Sequence, residues 1–401
     1  MSEREIVAQG RKRGLIGLMV LLVVLVVEAL AFGVAKLLPG DIYYRPPSKS
    51  EFDRGIEYRQ SLAPDVRRLG WVPTPAETTA LGARRSPANA HYGGKPCLSL
   101  YGDSFTFGAE VSADAAWGNQ LALRRRCPIL NFGVIGYGSD QAALRHEITR
   151  RDTAPRTILV HMVENIVRNV NQNRTLIYGE GIELKPRFVR DGALLKVVDY
   201  PTLAAADFVA FAASPGAFLV HEFYLPGRSA ASKRALRFPY LWHVPALVRY
   251  ERLSTGLRNV LWGGPPWYAA FYAPQHESGA LPLTIDIFDY FVRNASQRGQ
   301  QASIVVLPTA REMVWYLDSG EWLQSPLVEA AAARGLPVES LGLRLLARVT
   351  LDNADDPRLC AYFCTKAGIG GGHYTALGNA VLAEVVDDYL DGQAATGRGG
   401  D

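Results

Sequence analysis

The sequence predicts an α/β protein: a doubly wound, mostly parallel five-stranded sheet with a large aromatic-rich insertion, behind one N-terminal transmembrane helix. Three observations carry that expectation. From Leu98 onward, short apolar runs alternate with amphipathic helical stretches, the pattern of a parallel sheet wrapped on both faces. Between Val163 and Ala302 the alternation breaks over a length that no plain loop needs. Near the N-terminus, Gly14–Leu38 is apolar except for Glu28 and Lys36.

Taken in order, Arg4, Arg11, Lys12 and Arg13 precede the apolar run. About 20 apolar residues span a bilayer, and a basic cluster keeps its end in the cytoplasm. This predicts a cytoplasmic N-terminus at 1–13, an anchor at 14–38 and an exported remainder. A cleaved signal peptide, with an apolar region Gly14–Val27 and cleavage at Ala29-Leu30-Ala31, is the rival and exports the same domain. Glu28 costs a few kcal/mol inside a bilayer; it either pairs with a partner helix or snorkels to the outer interface. Segment 39–94 is polar and proline-rich and reads as a linker that then packs on the domain. Strands are expected at Leu98–Tyr101, Ile129–Phe132, Thr157–Val160, Ser303–Leu307 and Pro337–Ser340. Helices are expected at Ala115–Arg125, Gln141–Arg150, Leu283–Arg298, Leu323–Arg334 and Thr375–Leu390. In Leu283–Arg298, Leu283, Ile287, Phe291 and Ala295 share one face. The domain is expected to end near residue 392, and the Gly-rich Gln393–Asp401 reads as a disordered tail.

The 401 residues are 48% hydrophobic and carry a net charge of only +4, ample for one large core plus a subdomain. No dense Lys/Arg stripe suggests nucleic acid. No paired CxxC or HxxxH suggests zinc, and no cofactor is expected. Four cysteines in an exported domain suggest disulfides. Cys97 and Cys127 each precede a core strand, and those strands should be neighbours. Cys360 and Cys364 lie four apart. The expected pairs are Cys97–Cys127 and Cys360–Cys364, with buried free thiols as the alternative.

The chemistry concentrates at Leu98–Gly108, LSLYGDSFTFG. An apolar strand turns abruptly into a helix with Ser104 at the turn, where open α/β sheets place their ligands and a helix N-terminus favours a developing oxyanion. Ile129–Gly138, ILNFGVIGYG, is a second strand ending in glycines, and Gly371–Gly378, GGHYTALG, precedes the last helix. Together these resemble the SGNH (GDSL) hydrolase superfamily: Gly102-Asp103-Ser104 with Phe105–Gly108 is similar to its first block, Asn131 to Gly136 to its second, and His373 to its last. The resemblance covers roughly Cys97–Leu390. LGWVPTP (Leu69–Pro75) and KPRFVRDGALL (Lys185–Leu195) look like stretches of membrane-anchored bacterial members. The resemblance implies a flavodoxin-like sheet, an acyl-ester chemistry, and a periplasmic domain tethered to the bacterial inner membrane.

Ser104 is then the nucleophile and His373 its base, with the Ser104 and Gly136 N–H groups in the oxyanion hole. The family's usual Asn falls at Glu164, with Asn165 beside it; either residue, the latter through a one-residue bulge, is a candidate. The family's acid position falls at Gly370, so Asp352, or Asp355 or Asp356, is expected to fold back to His373. Two functions follow. One is a membrane-tethered esterase or O-acetyltransferase acting on an acyl ester, such as an acetylated cell-envelope or exported glycan. The other is a weak or inactive protein of the same fold that binds glycan or scaffolds an envelope assembly. The aromatics of the insertion, Phe188, Phe223, Tyr224, Tyr240, Trp242, Trp262, Trp267, Tyr268, Phe271 and Tyr272 among them, either form a subdomain core or line a lid.

Overall fold

The computed structural model describes the chain except for residues 1–2, 38–42, 180, 193, 236–237, 248–249, 263, 350, 352–355, 367–371 and 397–401. Its centre is a five-stranded parallel sheet: β1 (Leu98–Tyr101), β2 (Ile129–Asn131), β3 (Arg156–Met162), β4 (Gln301–Leu307) and β5 (Val338–Ser340), in the order β2-β1-β3-β4-β5. This is the doubly wound, flavodoxin-like order the sequence predicts. The central strands β1, β3 and β4 are mostly apolar and buried because both faces are covered. Along β3, Ile158, Val160 and Met162 enter one core with Leu98, Leu100, Trp117 and Val386. Leu159 points the other way, into a core with Tyr101, Phe132, Phe288 and Phe291. The two cores follow from the period-2 alternation of strand side chains.

Observed helices Trp117–Arg125, Ser139–Ile148, Ala280–Gln297, Ser325–Ala333 and Ala376–Thr396 match the five expected, with shifted ends. The last runs through Gln393, where a tail was expected. Gln393 is anchored: its amide oxygen accepts from Ser303 Oγ (3.0 Å) and Arg156 Nη2 (3.2 Å). Residues 397–401 lie outside the described residues.

Within segment 39–94, helix Lys49–Ser61 buries Phe52 and Ile56. Phe52 packs on Phe211 of the insertion, ring centroids 5.5 Å apart. The insertion supplies an antiparallel hairpin, Arg187–Asp191 with Leu194–Val198. Phe188, Tyr224, Trp267, Tyr268, Phe271 and Tyr272 are all buried in the core it shares with the sheet. That favours the subdomain-core reading over an aromatic lid. Cys97/Cys127 and Cys360/Cys364 are at disulfide distance, with Cα–Cα 6.0 and 4.5 Å.

The N-terminal helix, Glu3–Leu37, contains the stretch Lys12–Ala35, long and apolar enough to cross a membrane. Its side chains from Leu15 to Val26 stand exposed, as lipid-facing residues would. Glu28 is buried against the insertion's helix Tyr240–Leu247.

Candidate functional site

The sheet order reverses between β1 and β3, and the crevice at their carboxyl ends is where such sheets hold ligands. Ser104 stands there. It opens the single helical turn Ser104–Phe107, capped by Asp103, whose Oδ1 accepts the Phe105 N–H at 2.9 Å. The approach is tight: a Cβ on Gly102 would lie 2.0 Å from Thr106 Oγ1 and 2.8 Å from the Val160 carbonyl of β3. Among the described residues, neither the Ser104 N–H nor the Gly136 N–H donates a hydrogen bond. Gly136 has φ +84°, a conformation glycine adopts freely.

After Gly108 (φ +78°) the chain doubles back, with the Gly108 and Ala109 N–H groups both bonded to the Ser104 carbonyl. Glu110 follows at φ +67°, a left-handed conformation that costs a non-glycine residue roughly 1–2 kcal/mol. The turn aims its carboxylate at the histidine. Glu110 Oε2 lies 3.2 Å from His373 Nδ1 and 3.2 Å from the His373 backbone N, and it also accepts from Thr365 Oγ1. Lys366 Nζ sits 3.0 Å from Oε1. The Nδ1 contact has ion-pair distance without hydrogen-bond alignment. Burial pushes the Glu110 carboxyl up, but donation by Thr365, Lys366 and His373 outweighs it and holds the group at about 2. The imidazole packs on Phe105, the residue after the serine, centroids 4.8 Å apart. No hydrogen bond joins Ser104 Oγ to His373, a looseness common in sites without substrate.

Of the three aspartates expected at His373, the described residues include Asp356 alone. Asp352 and Asp355 lie outside the described residues. Asp356 turns to its own loop, its Oδ1 2.9 Å from the Arg358 N and 3.0 Å from Nε. The carboxylate seen at His373, that of Glu110, comes from the segment that carries the serine. Sequence reasoning looked before the histidine and missed it. The one available signal was an acid two residues after Gly108, where the chain reverses.

Beyond β3, Asn165 is fully buried with Nδ2 unpartnered. Its Oδ1 accepts from Arg168 Nη1 at 3.0 Å, and the same Nη1 lies 3.3 Å from Asp103 Oδ2. Arg168 thus ties Asn165 to the residue preceding the serine. Desolvation pushes the Asp103 carboxyl up, opposed by the Arg168 charge. Glu164 accepts the Tyr178 hydroxyl on Oε1 at 2.7 Å, and its Oε2 lies 3.7 Å from Arg168 Nη2.

Two other histidines are structural. His161 Nδ1 bonds Ser139 Oγ (2.7 Å) and His146 Nε2 bonds Gln300 Oε1 (2.8 Å). Burial pushes them down to about 3 and about 4. No cluster among the described residues could hold a metal. Beside Gly136 lies an open cavity of about 410 Å³ lined by Tyr58, Trp71, Ile135, Arg174 and Leu184.

Fold and site together define an α/β protein whose strand-end serine lies beside a carboxylate-held histidine. No family model matches the sequence, and no curated protein matches it. Among solved structures, the chain is similar to one titled "Structure of a putative lipolytic protein of G-D-S-L family from Desulfitobacterium hafniense DCB-2". The two share 11% identity, with 72% of this chain and 96% of that chain covered, at a TM-score of 0.31.

Proposed function

We propose that the chain is a membrane-tethered serine acyl-ester hydrolase or O-acetyltransferase, exported to the bacterial periplasm, with Ser104 as nucleophile, His373 as base and Glu110 as the residue that orients the base. The observation that carries this is Glu110 Oε2 at 3.2 Å from His373 Nδ1. A carboxylate beside one ring nitrogen favours the tautomer in which the other takes the serine proton.

In the first half-reaction, Ser104 Oγ attacks the acyl carbonyl while its proton passes to His373. The carbonyl oxygen gathers the negative charge and meets the free N–H groups of Ser104 and Gly136, with Asn165 Nδ2 as the third donor. Collapse expels the alcohol, protonated by His373, and leaves an acyl-serine. Water or a second hydroxyl then attacks the acyl group by the same steps reversed. Hydrolysis and transfer differ only in that acceptor. The cavity beside Gly136 has two ring side chains, Tyr58 and Trp71, of the kind that stack on sugars, and this supports an acetylated envelope glycan as the acceptor or donor.

The test is labelling by a fluorophosphonate and turnover of p-nitrophenyl acetate by the full chain in detergent. Wild type should be labelled and active; Ser104→Ala should be neither. A wild-type protein that neither labels nor turns over would favour the second reading, a glycan-binding or scaffold protein. The absent Ser104–His373 hydrogen bond is the observation on that side.

A further inference from the structure

The insertion's helix Tyr240–Leu247 is apolar in sequence, YLWHVPAL. Leu241 is 47% exposed, Trp242 76%, and Phe238 just before it 67%. In water this patch would be costly, yet the helix lies directly against the N-terminal helix. The Phe32 and Tyr240 rings are 4.9 Å apart. Glu28 Oε2 accepts the Tyr240 N–H at 2.5 Å and the Leu241 N–H at 3.3 Å.

Two anomalies explain each other here. A carboxylate within an apolar span costs a few kcal/mol. The first N–H groups of a helix have no intrahelical partner, and in hydrocarbon each such group costs several kcal/mol. Glu28 supplies the acceptor that those groups lack, and an anion at a helix N-terminus is favourable. Depth follows from helix geometry. Glu28 precedes Ala35, the last residue of the apolar stretch, by seven residues; at 1.5 Å per residue it sits about 10 Å below that end. Tyr240 therefore starts inside the hydrocarbon layer. The connecting segments agree: Tyr43–Tyr44, after the anchor, pair in parallel with Arg234–Ala235, a few residues before Phe238.

We propose that Phe238–Leu247 is a re-entrant membrane segment, immersed in the outer half of the bilayer and docked on the anchor by Glu28, with Phe238, Leu241 and Trp242 facing acyl chains. It rests on the reading of Lys12–Ala35 as the membrane span. It fixes the domain to the bilayer at two points, so the height and tilt of the site above the lipid are set.

The experiment uses the full chain in nanodiscs. The four native cysteines are paired, so an introduced cysteine is the single free thiol to label with NBD. Labels go at Trp242→Cys and Phe238→Cys, at Leu22→Cys in the anchor, and at Leu123→Cys on the helix that returns to the opposite end of the sheet. Doxyl-lipid should quench positions 22, 238 and 242 and blue-shift their emission, and spare position 123. Glu28→Leu should leave position 22 quenched and at least halve quenching at 242. Quenching at 22 with 238 and 242 behaving like 123 would overturn the re-entrant segment alone. Absent quenching at 22 would overturn the anchor and this proposal with it.

Discussion

Replacing Glu110 with Gln keeps the side chain's size and removes its charge. Its two oxygens take Thr365, the His373 backbone and Lys366, besides facing Nδ1. Loss of a buried orienting Asp costs a serine protease ~10⁴ in turnover. Here the carboxylate is 28% exposed and shared with Lys366, so solvent and that cation already screen part of its effect. The expected loss is about 10²–10³ in kcat, or about 2.7–4 kcal/mol of barrier at 1.36 kcal/mol per decade, with KM unchanged. Thermal stability should move little, because exposed ion pairs contribute up to about 1 kcal/mol. The assay is p-nitrophenyl acetate turnover with a parallel melting curve. Glu110→Asp, which keeps the charge and tolerates a left-handed backbone, should recover part of the rate. If Glu110→Gln stays within about threefold of wild type while His373→Ala is dead, the enzyme runs on a dyad and the assignment fails. If instead Asp352→Asn or Asp355→Asn is the severe change, the acid comes from the loop after all.

Removing one oxyanion donor typically costs ~10²–10³ in rate, so Asn165→Ala should show such a loss and Glu164→Gln should not; the reverse pattern in kcat would exchange their roles. Asp356→Asn should leave turnover within about threefold of wild type. Thr365 follows Cys364 directly, so mild reduction of Cys360–Cys364 should loosen the clamp on Glu110 and lower kcat, a fall that reoxidation reverses. Burial pushes the Glu312 carboxyl up to about 8. A raised carboxyl contributes stability that is full below its unfolded value near 4.5 and lost as pH rises through 8. Glu312→Gln should remove that loss, at most about 1.4 kcal/mol per pH unit in denaturant titrations between pH 5 and 8; identical slopes would refute it.

The sheet was legible because β1, β3 and β4 are nearly unbroken apolar runs, and only strands covered on both faces are written that way. Ser104 was legible because a strand ending in Gly-Asp-Ser leaves few places for the hydroxyl to go. Short elements such as Ala310–Ser319 and Gly342–Val349 went unseen, since a helix of about ten residues gives a weak periodic signal. Gln393 looked like tail because its glycine-rich neighbours dominate the composition, whereas its bonds to Ser303 and Arg156 are long-range. Glu110 was invisible for a related reason. Its role depends on a left-handed backbone and on partners more than 250 residues away, and no local pattern records either.

The placement of Glu110 six residues after Ser104 changes how this site is assembled. In the arrangement the resemblance implies, acid and base travel together on the C-terminal loop and meet the serine as a pair. On the proposed reading serine and acid share one compact turn, and the imidazole comes to it from the far end of the chain. The two come together where Thr365, Lys366 and His373 meet Glu110 and the His373 ring packs on Phe105. On the proposed reading, parting His373 from Phe105 and Glu110 would take the base from the serine and leave the nucleophile and the acid in place. On that reading turnover could be lost while the sheet and its two cores stay as they are.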